Sequence, residues 1–320
     1  MSISDPIFIC GAGRSGTSLM QSMLGSHSEI VVFPETAFVR RFIANPKTLD
    51  SVYRKEGLRG ILGVLQSDPK VGRLNIDLSA LIARHFTDES RSGVVAVKAY
   101  ESILRHYLKT SGKRRIGDKD PKLVEYLPLV KRHWGESYII HVIRDPKDVL
   151  ASKKRAEWSR RKPWLLHILA NRTQVKMGRE LGPKLFGHRY QEVIYERLIS
   201  DPEEVLTEVC RNLDVGYEPA MLKFSVTARE IVSSSEVSWK KETLGPLLPG
   251  NTRKWKGPLS AFEAALTDAV CEDALGAGGY ESSGCIDRMS GYRRAVVWGG
   301  ARLIEIMDAL YRRWRLCPRH

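Results

Sequence analysis

Residues 6–21, PIFICGAGRSGTSLMQ, crowd Gly13, Arg14, Ser15, Gly16, Thr17 and Ser18 into one turn between an apolar run and a helical pattern. In such a turn, successive backbone N–H groups and the positive end of the following helix can hold a phosphate. The spacing is that of the nucleotide-phosphate loop G-x-x-x-x-G-K-[ST], but Thr17 stands where the lysine belongs. The ligand that ATP-using enzymes present to the β- and γ-phosphates is therefore missing. A donor with a single 5′-phosphate needs neither that lysine nor a Mg²⁺ bridge, and Arg14 offers a fixed cation with forked donors instead. The loop suits a mononucleotide.

A second cluster follows in HVIRDPKDVLASKK, residues 141–154. Arg144 ends an apolar run that reads as a buried strand, and ligands of open α/β sheets bind at the carboxyl ends of strands. Ser152 lies eight residues on, about two helical turns along the next helix. Asp145 and Asp148 are explained as acidic residues at that helix's N-terminus, but capping does not account for Arg144. A dianionic phosphate could accept from Arg144 and Ser152 together.

In this order the two segments resemble the sulfotransferases that use 3′-phosphoadenosine 5′-phosphosulfate (PAPS), closest to the tyrosylprotein sulfotransferases and their bacterial relatives. Arg14 to Met20 is similar to the family's 5′-phosphosulfate loop, and residues 141–154 to its 3′-phosphate motif. The resemblance implies a P-loop fold, PAPS as donor, PAP as product and in-line transfer of a sulfuryl group without a metal. It implies further roles by position. Glu35 in FPETAFVRR, 21 residues after Arg14, matches the glutamate regarded as the base. Lys119 in GDKDPK, 25 residues before Arg144, matches the lysine that contacts the bridging oxygen and the transferring group. Tyr195-Glu196 in YERL resembles a YEDL segment, and Lys254-Trp255 in NTRKWKG resembles a late segment whose lysine reaches the donor.

These islands run from residue 7 to residue 257, leaving residues 40–93, 155–190 and 258–320 unmatched. Ala37 stands where tyrosylprotein sulfotransferases carry an arginine after the Glu-Thr pair, although Arg41 remains nearby, so the resemblance does not extend to an acidic tyrosine peptide as acceptor. Cytosolic small-molecule sulfotransferases use a histidine base in a Lys-Thr-His segment. Lys98-Ala99-Tyr100 has no histidine, which leaves Glu35 as the base. Arg14, Lys119 and Glu35 form the expected catalytic set.

The elements that must position these groups alternate. Ile7–Cys10, Val94–Val97, Tyr138–Ile143 and, more weakly, Glu192–Tyr195 read as strands with helical patterns between them, the signature of a mostly parallel α/β sheet flanked by helices. At 320 residues the chain suits one P-loop NTPase-like domain, residues 1–290, followed by a basic amphipathic helix over 291–320. Pro202–Leu213 reads as a packing helix, and Ser233–Gly257 as a long loop of the kind that often carries function. Between Tyr292 and Trp314, apolar residues recur at helical spacing among arginines. The segment is either docked on the domain or laid on a membrane surface, and Arg302, Glu305 and Asp308 exclude a membrane span.

Composition limits the partners. The 51 basic residues against 37 acidic ones give a net charge of +14, which favours anionic ligands. Five scattered cysteines without a C-x-x-C pair suit a reducing compartment and no structural zinc. With no signal-peptide pattern and no long apolar run, the sequence reads as cytoplasmic. The basic-aromatic cluster Trp158, Arg160, Arg161, Lys162 and Trp164 could stack bases, line an acceptor cleft or be a solvated helix face.

The reading that follows is a sulfotransferase acting on a hydroxyl of a carbohydrate, lipid, small alcohol or peptide, with no nucleic-acid partner. The acceptor pocket is expected from residues 36–110 and 155–190. Two rivals stand beside it. One is a P-loop phosphotransferase using ATP and Mg²⁺, against which Thr17 speaks. The other is a basic adaptor that binds nucleic acid or an anionic membrane.

Overall fold

In the computed structural model, residues 3, 5–45, 47–83, 95–232, 237 and 243–317 are described. Five strands, β1 (Ile7–Gly11), β2 (Ile30–Val32), β3 (Arg115–Lys119), β4 (Tyr138–Ile143) and β5 (Tyr190–Ile194), form one sheet of order β2-β3-β1-β4-β5. All its pairings are parallel. The helices that cover it, in chain order, are α1 (Thr17–Gly25), α2 (Lys47–Ser67, broken at Gly57), α3 (Val95–Ser111), α4 (Leu127–His133), α5 (Pro146–Arg155), α6 (Trp164–Phe186), α7 (Pro202–Asn212), α8 (Ala261–Val270) and α9 (Gly291–Leu316). Shorter turns join them.

β1 and β4 are apolar along their whole length because both faces are covered, the usual fate of central parallel strands. Alternate residues go to opposite sides. Ile7 and Ile9 pack with Met20 and Leu24 of α1 and with Leu206 and Val209 of α7. Phe8 and Cys10 face the other layer, where Tyr100 of α3 and Val130 of α4 lie. A third cluster joins Ile168 and Val175 of α6 to Leu266 and Val270 of α8 and to Val297 and Ile304 of α9.

The expected strand at Val94–Val97 is corrected. Val94 lies outside the described residues, and Val95–Val97 begin α3. A short apolar run does not separate strand from buried helix by itself. Here the spacing of Val95, Ala99, Tyr100, Ile103 and Leu104 continues a helical face against the core. β3 takes the expected strand's place, and it carries Arg115, Asp118 and Lys119, a composition that hides a strand from a hydrophobic reading. Asp118 is buried and accepts from Tyr100 Oη at 2.6 Å, and burial pushes its carboxyl up to about 7. Of the expected long loop over 233–257, residues 233–236 and 238–242 lie outside the described set.

α5 starts where the sequence reading placed it. Asp145 is its N-cap, accepting from Lys147 N at 2.8 Å, and Pro146 fixes the first turn. Lys147 is fully buried and joins α5 to α8. Its ammonium donates to Asp268 Oδ1 at 2.8 Å and to the Glu281 carbonyl at 3.0 Å. α9 then docks on α8 and α6 through Val297, Ala301, Ile304 and Asp308, its buried residues.

Removing one partner of a buried ion pair leaves an uncompensated charge. Lys147→Met is therefore expected to lower the unfolding free energy by about 3–5 kcal/mol in a urea titration, whereas Lys147→Met with Asp268→Leu should recover part of that loss. A single variant as stable as the parent would show that this pair does not join the two layers.

Candidate active site

The phosphate turn is built by β1, which delivers the chain to Gly11, and by α1, which begins at Thr17. Ser15 N closes it onto the Ala12 carbonyl at 3.0 Å. Gly16 is held at φ 101°, and a Cβ there would overlap the ring of Tyr195, so this position demands glycine twice over. Arg14 is also left-handed, at φ 77°, a conformation uncommon for a residue with a side chain. Its Nε donates to Ser152 Oγ at 3.0 Å, which ties the phosphate turn to the last turns of α5.

Arg144 leaves the carboxyl end of β4 and reaches the same place. Its Nη1 donates to the Arg14 carbonyl at 3.4 Å and its Nη2 to the Asn251 carbonyl at 3.0 Å. Its guanidinium carbon lies 4.2 Å from the centroid of the Tyr195 ring. Tyr195 Oη accepts from Asn251 Nδ2 at 2.6 Å. Two polar atoms in this cradle are buried without a hydrogen-bond partner, Ser15 Oγ and Arg144 Nε. Buried polar groups are normally satisfied, so two orphans beside two arginines suit an oxyanion ligand.

Arg14 and Arg144 line one cleft of about 660 Å³, together with Gly13, Gly16, Thr17, Ser18 and Tyr195. Glu35 and Lys119 line it as well. Lys119 ends β3 and is 1% exposed; its ammonium donates to Glu35 Oε2. The other carboxylate oxygen, Oε1, accepts from Lys70 Nζ at 2.8 Å, and the Glu35 carbonyl accepts from Arg73. Lys70 sits on the one-turn helix Pro69–Gly72, whose N-cap Asp68 takes Arg41 Nη1 at 2.7 Å. Arg41 is thus engaged with the scaffold, while its neighbour Arg40 lines the cleft and donates to Asp120 Oδ2 at 2.8 Å.

The expected residues do not all stand at the cleft. Ser15 and Ser152 are buried behind its lining, Ser152 through its bond with Arg14. Lys254 is exposed on the turn Lys254–Lys256 and is not part of the lining, whereas Asn251, three residues earlier, is. Glu196, beside Tyr195, faces away from the cleft, accepting from Asp145 N at 3.2 Å and from Tyr280. Sequence reading missed Asn251, Lys70, Arg40, Lys122 and Lys153, all of which line the cleft. Only Lys153 carried a local signal, as the residue after Ser152. Of the basic-aromatic cluster, Trp158 and Lys162 line the cleft, while Trp164 packs on Phe262 with ring centroids 6.3 Å apart. Among the described residues, no group of three or more His, Cys, Asp or Glu side chains is arranged to hold a metal ion, and no helix is long and apolar enough to cross a membrane.

Comparison with known proteins agrees with the fold. The sulfotransferase domain from the curacin biosynthetic pathway matches with a TM-score of 0.61 and 19% identity, covering 88% of this chain and 99% of that one. The sulfotransferase domain from the olefin synthase of Synechococcus PCC 7002 matches with a TM-score of 0.57 and 21% identity, covering 87% and 95%. An uncharacterized protein of Aquifex aeolicus strain VF5 is 26% identical over 280 residues, 83% of this chain, and the match spans 32% of that relative's length. The family model described as the Sulfotransferase family matches residues 6–219, a span that contains the phosphate turn, Glu35, Lys119, Arg144 and Tyr195. On that match over two thirds of its length, and on the parallel sheet it shares with solved sulfotransferases, the chain belongs to the sulfotransferase family.

Proposed function

We propose that this sulfotransferase takes its sulfuryl group from PAPS and passes it to a hydroxyl acceptor, with Glu35 as base and with Lys119 and Arg14 stabilising the leaving phosphate. The observation that carries the reading is the convergence of Arg14 and Arg144 on one cleft, each beside a buried polar atom that lacks a partner. PAPS carries phosphates at opposite ends of its ribose. In this reading, Gly13 to Ser18 and the N-terminus of α1 take the 5′-phosphate, and Arg144 with Ser152 takes the 3′-phosphate.

The acceptor oxygen attacks sulfur, the bond from sulfur to the bridging phosphate oxygen breaks, and its electron pair stays on the phosphate. Glu35 takes the hydroxyl proton. In the structure both of its carboxylate oxygens carry a lysine ammonium, Lys70 on Oε1 and Lys119 on Oε2. For Oε2 to receive a proton, Lys119 must turn away, and the group that calls for it is the bridging oxygen as negative charge builds there. One lysine then serves both ends of the reaction: it releases the base and stabilises the leaving group. Lys70 keeps Oε1 in place throughout. The chain's five free thiols suit a reducing, cytoplasmic setting.

Calorimetry should show saturable binding of PAP, stronger than that of ATP, and labelled PAPS should pass its sulfuryl group to members of a mixed hydroxyl-acceptor library, read as a mass gain. ATP binding without PAP binding would overturn the donor assignment. With an acceptor in hand, Glu35→Gln is expected to lower kcat by about 10²–10⁴-fold and Lys119→Met by about 10²–10³-fold. Both should leave PAP affinity near that of the parent. A variant that kept the parent's kcat would remove that residue from the mechanism.

A further inference from the structure

The nucleotide reading accounts for one half of the cleft. The other half is lined by Lys122, which follows β3; by Lys153, at the end of α5; by Lys162, just before α6; and by His167 on α6 itself. Lys153 is the buried member, 4% exposed, and its side chain passes beside Gly13 at the edge of the phosphate turn. Among the described residues it has no hydrogen-bond or ion-pair partner, and neither has the ammonium of Lys122 or of Lys162. The nearest carboxylate, Glu125, is already engaged, accepting from Gln174 Nε2 at 2.7 Å and from Tyr311 Oη at 2.7 Å.

A buried ammonium beside two further lysines is costly unless an anion compensates it. Burial, and after it Lys122 and Lys162, push Lys153 down to about 8 against the opposing pull of Cys271 and Glu125. Burial and the same two lysines, 153 and 162, lower His167. A surface lysine face would not show this. Between the cations lie Trp158, 47% exposed, and Leu166, 46% exposed, large apolar side chains open to the cleft.

We propose that Lys153, with Lys122, Lys162 and His167, is the subsite for an anionic group on the acceptor, and that the acceptor is a hydroxyl-bearing amphiphile whose apolar part lies on Trp158 and Leu166. The proposal deepens the sulfuryl-transfer reading and rests on it for the word acceptor. The paired apolar and cationic lining favours an amphiphile over an acidic peptide, which would need cations without the apolar surface.

The probe is octanesulfonate, an anionic amphiphile with a fixed charge and no hydroxyl to react, titrated calorimetrically into the full chain with and without saturating PAP. Binding is expected in both, weakened about tenfold or more by Lys153→Met, the worth of a hydrogen bond to a charged group. Lys153→Arg should restore it, and PAP affinity should stay unchanged in both variants. The pH profile has a definite sign. The anion binds the protonated ammonium, so affinity falls as pH rises from 7 to beyond the Lys153 value of about 8, whereas Lys153→Arg holds its affinity there. Cys271, raised to about 12, and His167, lowered, do not titrate in that window. Octanesulfonate binding that ignores Lys153→Met, that PAP displaces, or that is weaker than binding of tetraglutamate would overturn the subsite. Failure of PAP itself to bind would instead sink the donor reading, and the titration without PAP would still decide the role of Lys153.

A different face carries a second inference. On α9, Val296, Leu303, Ile306, Met307, Leu310 and Trp314 fall within about a third of the helix circumference. Each is between 41% and 64% exposed, on the side away from the docked residues. Exposed arginines edge the stripe, Arg302 and Arg313 on one side and Arg293 on the other. The acidic residues of the helix are already paired, Glu305 with Arg302 and Arg172, and Asp308 with Thr173, Arg172 and Arg312. A second copy would set arginine rims against each other, whereas anionic headgroups complement both rims and receive the stripe.

The geometry points to an anionic bilayer surface as its occupant. In flotation, vesicles of phosphatidylglycerol and phosphatidylcholine should carry the protein while phosphatidylcholine alone does not, and the double substitution Leu303→Ser, Leu310→Ser should abolish flotation without lowering Tm. Absence of flotation, or a concentration-dependent dimer that the same substitutions disperse, would overturn it.

Discussion

Gly11 lies opposite Val142 in the parallel pairing of β1 with β4, and the site depends on that register. Three residues beyond Gly11 the chain presents Arg14, and two residues beyond Val142 it presents Arg144. Because the strands run in the same direction, both leave the sheet on the same edge, where strand ends open into a crevice. The bond from Arg14 Nε to Ser152 Oγ and that from Arg144 to the Arg14 carbonyl lock the two loops together. A slip by one residue would turn the alternate side chains of β4 to opposite faces and send Arg144 elsewhere.

A chain this basic has to keep its cations apart inside the core, and it does so by giving each buried one a distinct task. Lys147 is fully satisfied by Asp268 and a backbone carbonyl, so it is structural. Lys119 is held by one carboxylate that sits in the cleft and is itself shared with Lys70, so its bond can be exchanged. Lys153 has cations for neighbours, and a ligand's charge can stabilise it. Burial alone does not distinguish these three lysines, all under 5% exposed; what surrounds the ammonium does.

The parts of this arrangement legible in the sequence are those whose physics is local. The phosphate turn shows itself through glycines and hydroxyls between a strand and a helix, and the start of α5 through Asp145-Pro146. β1 and β4 stand out because a strand buried on both faces must be apolar. β3 escaped because Asp118 and Lys119, buried though they are, find partners in Tyr100 and Glu35 that no local pattern reveals. Val95–Val97 misled because the core-facing start of a helix and a short strand look alike until the spacing of Tyr100 and Ile103 is weighed. Lys70 and Lys122 could not be singled out at all. Each is an ordinary lysine in sequence, and only the packing of the Pro69–Gly72 turn and of the residues after β3 brings them to one cavity.

The C-terminal helix, beyond the last motif the sequence displays, is braced against the cleft wall rather than appended to the domain. The wall residues Pro121 and Lys122 open the 3-10 turn Pro121–Tyr126, and Glu125 in that turn accepts both from Gln174, which lines the cleft, and from Tyr311 of α9. Arg315 of α9 stacks 3.5 Å over the ring of Tyr126 in the same turn. The helix spends its polar contacts on the domain, through Asp308, Tyr311 and Arg312, and leaves its largest apolar side chains outward. An amphipathic helix that only completed a core would do the reverse. The inversion follows from what lies beneath it: α6 offers Arg172, Thr173 and Glu180 along its line of contact, so polar groups of α9 must turn inward to meet them. Whatever α9 touches on its outer side is therefore linked, through one carboxylate, to the position of Lys122 and Gln174 in the cleft.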